Sequence, residues 1–422
     1  MIPTVLAAAV AGLTRCLAAL RLQRWNLGAP VVMVLAGILV GLGIENAVLV
    51  ALGDTEVTQH VAEIILAFLL FVDATEVRRG RLWGNSPTLV VRVLLLAFPV
   101  SIGVAMLLGV ALFGTGTPHL SWPVLLIIAC IVVPTDFAPN EQIVRDRRLS
   151  ARVRSVLNVE SGYNDGITSP IFLFALLLAS KTGAARTPLD AFIEAVEQAA
   201  KAIGVGVVLG VVVAWLLYRS DRRGWMTAQS RRIVVLLTPL VAYSAAVEIG
   251  GNGFVTSFVC GVAFRYAYRL LVARGLRRTP SSDRRQTVTA LTRDFVLVED
   301  VTAVMTMTMW FVVGLATVVV IGEVDWQAIV FCLAALTVVR VVPVLASLIG
   351  STFSWRDRLL IGLLGPRGTP TIVFGLIAFN ALPDNPAGIV LETTVLCVLG
   401  SVLLQGAGSD PIIRSLRARS DT

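Results

Sequence analysis

Charge and histidine are both scarce in this chain. Asp, Glu, Lys and Arg together make up only 15% of 422 residues, and the two histidines, His60 and His119, stand far apart. Two histidines argue against a histidine metal centre, and both read as solvated polar residues near the ends of apolar segments. The five cysteines (Cys16, Cys130, Cys260, Cys332, Cys397) show neither metal-ligand nor disulfide-framework spacing. They read as small packing residues. A His-Glu metal motif, a phosphate loop and a pair of aspartates suited to proteolysis are all missing, which leaves an intramembrane enzyme with nothing to work with. Long hydrophilic stretches are missing too. The largest link, around 273–287, is too short for a soluble domain, and the tail after Gly408 is too short for a regulatory one.

What is there belongs in lipid. Hydrophobic residues account for 56% of the chain, and the mean hydropathy is +0.83, which describes an all-α polytopic membrane protein with lipid as its solvent. The first apolar run is followed, not preceded, by Arg15 and Arg21, the wrong order for a cleaved leader, so it is expected to stay as a span. Windows of about 19 residues predict thirteen transmembrane helices. Their positions are 5–20, 29–44, 61–74, 89–113, 122–139, 156–179, 192–218, 233–249, 255–271, 295–320, 326–348, 359–378 and 389–404.

The basic residues test that count. The net charge of +8 comes from arginines clustered in short links, where they read as topology signals and not as a nucleic-acid surface. Alternate links carry Arg21 and Arg24; Arg78, Arg79 and Arg81; Arg145 to Arg154; Arg219 to Arg232; Arg265 to Arg285; Arg356 and Arg358; and Arg414, Arg417 and Arg419. The links between them hold only Lys181 and Arg186, with acids such as Asp54, Glu323, Asp325 and Asp384. The expected topology therefore has the N-terminus outside and the C-terminus in the cytoplasm.

Two spans carry breaks. Pro134-Thr135-Asp136 to Pro139 lies in the fifth, and Gly365-Pro366-Arg367-Gly368-Thr369-Pro370 in the twelfth. Proline removes a backbone donor and glycine relaxes the backbone, so both spans should unwind mid-membrane. Matching interruptions in two halves predict two inverted six-helix repeats with crossing broken helices and a site at the midplane. The expected division is spans 1–3 over 1–86, spans 4–6 over 87–180, a linker helix over 181–228, spans 8–10 over 229–324, spans 11–13 over 325–408, and a cytoplasmic tail over 409–422. An Asp in one break and an Arg in the other would neutralise the facing half-helix ends.

On the sixth span Glu160, Ser161, Asn164 and Asp165 share roughly one helical face. Hard oxygen donors there, facing the unwound Thr135-Asp136 backbone, suit a partly dehydrated Na+ or K+. Asp73, Asp136, Glu160 and Asp165 lie inside spans against only Arg340 and Arg367, so acids outnumber their basic partners. A carboxylate that can hold a proton or a cation, but not both, makes an antiporter when access alternates. A potassium/proton exchanger or a gated cation channel would use the same residues. Other features read as structure: Gly204, Gly206 and Gly210 as helix packing, Met305, Met307, Met309 and Trp310 as core, Glu197 with Lys201 as an i,i+4 pair, and Glu299 with Asp300 as a wet helix end.

Asn158-Val159-Glu160-Ser161-Gly162-Tyr163-Asn164-Asp165-Gly166 together with Pro134-Thr135-Asp136 resembles the signature of the monovalent cation:proton antiporter-1 family, which includes bacterial NhaP-type sodium/proton antiporters. Leu70 to Ala74 around Asp73, Arg340, Gly365 to Gly368, and Ser401 to Gly406 extend the resemblance along the whole chain. Phe137 stands where the family usually has proline, Tyr163 where leucine is common, and Asp73 where many relatives have glutamate. The resemblance implies that Asp165 exchanges the ion, that Thr135, Ser161 and Glu160 complete the cation shell, and that Asn164 holds Asp165 and Glu160 in place. It also implies Glu160–Arg340 and Asp73–Arg367 pairs, electroneutral one-for-one exchange of Na+ or Li+ for H+, no cofactor, and a homodimer in the bacterial cytoplasmic membrane.

Overall fold

The computed structural model describes residues 2–24, 27–44, 56–76, 87–114, 120–137, 143–144, 146, 148–179, 187–276, 281–322, 324–406 and 413. Among these residues there is no strand, and helix dominates. Apolar side chains surround most helices on every side, as expected where the solvent is lipid and each backbone must bond within itself. Among the described residues, eight helical stretches are long and apolar enough to cross a membrane, and four shorter apolar ones accompany them.

In chain order the helices are α1 (Ile2–Leu17), α2 (Ala19–Arg24), α3 (Ala29–Gly41), α4 (Glu56–Glu76), α5 (Pro87–Arg92), α6 (Phe98–Phe113), α7 (Trp122–Val132), α8 (Ala151–Ala179) and α9 (Pro188–Arg222). There follow α10 (Ala228–Glu248), α11 (Gly253–Leu276), α12 (Ser281–Val320), α13 (Trp326–Leu336), α14 (Val338–Ser347), α15 (Trp355–Leu363), α16 (Thr369–Ala381) and α17 (Asp384–Gly406). Helix starts follow local chemistry. Pro30, Pro123 and Pro370 sit in first turns, where a missing N–H costs nothing. Thr227 and Ser354 accept from the backbone N–H groups of Ser230 and Asp357 to cap α10 and α15.

The chain forms two compact units: residues 1–62, 81–187 and 306–422 in the first, 63–80 and 188–305 in the second. The first unit holds the interrupted helices. After α7 the chain is not helical over 133–137, and between α15 and α16 it is not helical over 364–368. Two further irregularities were not foreseen in the sequence. A π-helical turn, Val93–Ala97, joins α5 to α6. The expected continuous span over 326–348 is split at Thr337, with φ −123° and ψ −90°, into α13 and α14. Thr337 is neither proline nor glycine, but the π turn ends two residues before Pro99, which has no N–H to give the Leu95 carbonyl, a signal that hydropathy does not read. The start of α13 is pinned from α17, where the buried Glu392 carboxylate accepts from the Asp325 N–H at 2.7 Å. A buried apolar cluster including Val93, Phe137, Val156, Val159, Val344 and Leu360 ties α5, the π turn, α8, α14 and α15 together.

The second unit packs α9, α10, α11, the first part of α12 and the later part of α4 around Phe68, Phe71, Leu217, Val235, Phe264 and Val298. Arg231 ties its helices with bonds to Asp221 at 2.6 Å and Asp294 at 3.3 Å. Lys201 and Glu197 pair at 2.8 Å on an exposed face of α9. Of the α9 glycines, Gly206 and Gly210 lie against the α11 backbone, and a Cβ on Gly210 would stand 2.6 Å from the Cys260 carbonyl oxygen. Gly204 has open space around it, so it takes no part in that packing. Gly210→Leu is therefore expected to lower stability by about 1–3 kcal/mol through overpacking, while Gly204→Leu stays within about 0.5 kcal/mol. Denaturation of the two variants in the same detergent checks the difference.

Candidate functional site

The site is built within the first unit, where α8 passes the interruption after α7. Pro134 has no N–H to give and the helix stops, which leaves the Thr135 carbonyl and hydroxyl without helical partners. Asn164 on α8 supplies the missing donor. Its Nδ2 donates to Thr135 O at 2.8 Å and to Thr135 Oγ1 at 3.2 Å. One turn earlier on α8, the Ser161 hydroxyl accepts from the Phe137 N–H at 3.3 Å. Two contacts on one face of α8 thus hold the opened segment.

The charges divide the remaining work. Asp136 N–H donates to Pro366 O at 2.8 Å, and its carboxylate accepts from the Thr369 N–H at 3.2 Å. This carboxylate therefore stands at the N-terminus of α16, where the helix dipole favours negative charge. The approach is so close that a Cβ on Gly368 would collide with the Asp136 carboxylate, which explains a glycine there. The opposite pole, the C-terminus of α15, is served by Arg340. Its Nη2 donates to Ile361 O at 3.1 Å and to Leu364 O at 3.3 Å. Gln405 on α17 adds a bond to Leu363 O at 2.8 Å. Arg340 reaches this place only because residue 365 is glycine, since a Cβ there would overlap the guanidinium.

Arg340 also grips Glu160, with Nη1–Oε1 2.7 Å and Nη2–Oε2 3.1 Å, both side chains buried. This two-point geometry suits the planar fork of arginine. Arg367, expected to answer the half-helix carbonyls, bonds carbonyls on either side of the α15 terminus. It is 1% exposed, takes Ser401 Oγ at its backbone N–H (2.7 Å), and donates to Gly365 O at 3.0 Å and Ala335 O at 3.3 Å. It thus reaches the last turn of α13, while the α15 terminus goes to Arg340. Asp73 lies on α4 in the second unit, partly buried.

Asp165 stands apart from the other site residues. It is 2% exposed, and neither carboxylate oxygen has a hydrogen-bond partner; the neighbouring Asn164 Oδ1 is likewise unpaired and buried. A buried ionised carboxylate without a donor is strongly unfavourable, so this group calls for a proton or a cation. The arrangement brings Thr135, Asp136, Glu160, Ser161, Asn164, Arg340 and Arg367 into one network of helix ends around α8. Tyr163 falls outside it and packs on the apolar cluster beside Phe137. Sequence reasoning missed the structural roles of Ser401 and Gln405. Both are polar residues four apart inside an apolar span, and that spacing was the available signal.

The site thus combines a helical membrane fold, two interrupted helices and, among the described residues, a buried acid without a hydrogen-bond donor. A family model described as sodium/hydrogen exchanger, transmembrane, matches residues 5–414, and the chain belongs to that family. It is similar to a K(+)/H(+) antiporter NhaP2 of Shewanella sp. (strain MR-4), with 27% identity over 68% of this chain and 46% of that protein. It is also similar to a Na(+)/H(+) antiporter of Schizosaccharomyces pombe, with 26% identity over 82% of this chain and 72% of the relative. The chain spans about half the length of the bacterial relatives it matches. Among solved structures, the sodium proton antiporter MjNhaP1 from Methanocaldococcus jannaschii at pH 8 has the same fold, with a TM-score of 0.74 and 18% identity over 96% of this chain and 99% of that one.

Removing one side of the Glu160–Arg340 contact leaves a buried charge alone. Glu160→Ala and Arg340→Ala are each expected to cost roughly 3–5 kcal/mol. The double variant should recover part of that loss, and thermal unfolding of all three against the parent reads the coupling.

Proposed function

We propose that the protein exchanges Na+ or Li+ for H+ one for one across a bacterial cytoplasmic membrane, with Asp165 carrying either passenger. The observation that carries this reading is the pair of buried Asp165 oxygens without a donor, next to the unpaired Asn164 Oδ1. An ionised Asp165 offers a cation two oxygens, and Thr135, Ser161 and Glu160 complete the shell directly or through water. Protonation removes the charge and with it the attraction for the cation. Asn164 contributes no second ionisable group beside Asp165, so one proton leaves for each cation that enters and no net charge moves.

The other charged residues hold the site without exchanging. Asp136 steadies α16, and Glu160 and Arg340 neutralise one another. Alternating exposure of Asp165 to the two sides, in a homodimer with its N-terminus outside and C-terminus in the cytoplasm, turns competition for one carboxylate into antiport. Potassium/proton exchange at the same oxygens is the second reading, favoured by the K(+)/H(+) antiporter names of the Shewanella relatives. Oxygen ligands alone do not fix ion size.

Asp165→Asn keeps the side-chain volume and removes the exchangeable charge. It is expected to abolish cation-driven pH change in proteoliposomes while the protein elutes as the parent does. Full exchange by this variant sinks the assignment. A sodium gradient that leaves lumenal pH unchanged in the parent would point to a channel instead.

Competition has a signed pH dependence. Where protonated Asp165 dominates, each unit of acidification should raise the apparent KM for the cation up to about tenfold with maximal rate unchanged. Initial rates against Na+, Li+ and K+ at several pH values measure this and rank the ions. A maximal rate that falls with pH while KM stays constant contradicts a shared carboxylate.

A further inference from the structure

Arginines in the links serve as topology signals, but at the end of α9 three of them are held in a way that orientation in a membrane does not require. Arg219 Cζ lies 5.6 Å from the centroid of the Trp215 ring, Arg222 Cζ 5.8 Å from that of Tyr218, and Arg223 Cζ 4.6 Å from that of Trp225. Arg222 Nη1 also donates to the Tyr218 hydroxyl at 3.0 Å. Neither a ring face nor a phenol cancels a full positive charge. Asp221 and Asp294 are already taken by Arg231, at 2.6 Å and 3.3 Å. Among the described residues, none of the three arginines has a carboxylate partner. Nor are their side chains needed to close α9. Gly224, with φ +69°, turns the chain so that the N–H groups of Arg223, Gly224 and Trp225 bond the carbonyls of Arg219, Asp221 and Ser220 at 3.2, 3.0 and 3.0 Å.

We propose that this end of α9 binds one anionic phospholipid of the phosphatidylglycerol type, its phosphate held between the Arg219 and Arg222 guanidiniums. The two arginines stand three positions apart, so their side chains leave the helix on one face, about 5–6 Å apart at Cβ. A guanidinium steadied by a ring still has N–H groups to give, and its planar fork matches phosphate oxygens two at a time. Arg223, whose N–H bonds the Arg219 carbonyl, adds a third positive charge one turn on. Going back along α9, the same face carries Trp215, Val212 and Val208, all exposed, at alternating spacings of four and three from Arg219. At about 1.5 Å per residue this apolar stripe runs about 10 Å, within half of the roughly 30 Å hydrocarbon core, so it takes an acyl chain below the headgroup. The exposed Trp215 and Trp225 rings mark the level where hydrocarbon meets water. A zwitterionic lipid brings a cation of its own towards three arginines, which is why the charge selects an anionic one. In the proposed topology the lipid belongs to the cytoplasmic leaflet. The site rests on the membrane fold and not on the exchange chemistry.

The test uses the full chain, stripped of lipid in a neutral detergent. Phosphatidylglycerol and phosphatidylcholine with the same acyl chains are titrated separately, with retained lipid counted by native mass spectrometry and thermal unfolding followed in parallel. The expected result is tighter retention of phosphatidylglycerol and a raised unfolding midpoint that added salt diminishes. Arg219→Gln and Arg222→Gln should each weaken that retention roughly tenfold with elution unchanged, and Arg219→Lys, which keeps the charge but loses the fork, by less. Arg274→Gln removes the same charge from the exposed end of α11 and should leave retention as it is. Equal retention of the two lipids overturns the proposal, as does a loss with Arg274→Gln as large as that with Arg222→Gln, which would mean attraction to net charge alone. Glycerol phosphate without acyl chains should not move the midpoint; if it reproduces the shift, the ligand is a soluble phosphate and the lipid assignment falls. None of these readouts depends on cation/proton exchange, so they stand or fall separately from the assignment of Asp165.

Discussion

Breaking a helix inside a low-dielectric layer exposes backbone N–H and C=O groups that no solvent can reach, and satisfying them is the constraint on which the first unit depends. Each unmet group costs as much as a lost hydrogen bond or more. The two interruptions answer one another. Asp136 N–H takes the Pro366 carbonyl, the Asp136 carboxylate takes the Thr369 N–H, and Asn164 and Ser161 take up the Thr135 carbonyl and the Phe137 N–H. Arg340, Arg367 and Gln405 collect the carbonyls of Ile361, Leu364, Gly365, Ala335 and Leu363. A polar network assembled for backbone reasons thereby places charged side chains where apolar ones would otherwise sit.

The same accounting isolates one group. Glu160 has Arg340, Asp136 has a helix N-terminus, and Glu392 has the Asp325 N–H. Among the described residues these acids are fixed by partners that a passing ion would have to displace. Asp165 shares α8 with Glu160 and is as deeply buried but has no donor to give up. A chemically ordinary carboxylate is thus set apart by what its neighbours leave undone.

Much of this was legible in the chain because the relevant residues break local rules. Carboxylates and amides at 160, 164 and 165 stand out against an apolar span, and prolines at 134 and 366 announce their interruptions without any knowledge of tertiary structure. Pairings across hundreds of positions were not legible in that way. The tie between Asp136 and Thr369 depends on how two broken segments face each other, and Arg340 serves the α15 carbonyls because Gly365 lets it approach. The split at Thr337 and the π turn at Val93–Ala97 escaped for a related reason. Both fall within apolar sequence, and hydropathy is blind to the missing N–H of Pro99 after the π turn and to the dihedral change at Thr337.

The π turn sets the angular register of the polypeptide on either side of it. Five residues occupy a loop that an α-helix closes with four, so the face presented by Phe98–Phe113 is offset from that of Pro87–Arg92 by about 100°, one residue's worth of rotation. Arg92, just before the turn, can thereby point its guanidinium at the Ile349 carbonyl at 3.2 Å while the following helix turns Ala105 and Gly109 inward. Deleting a single aliphatic residue there would restore ideal winding and swing one half of the span round its own axis. The wide turn thus works as a phase adjuster, letting one continuous stretch of lipid-soluble chain satisfy two neighbourhoods that ask for different sides of it.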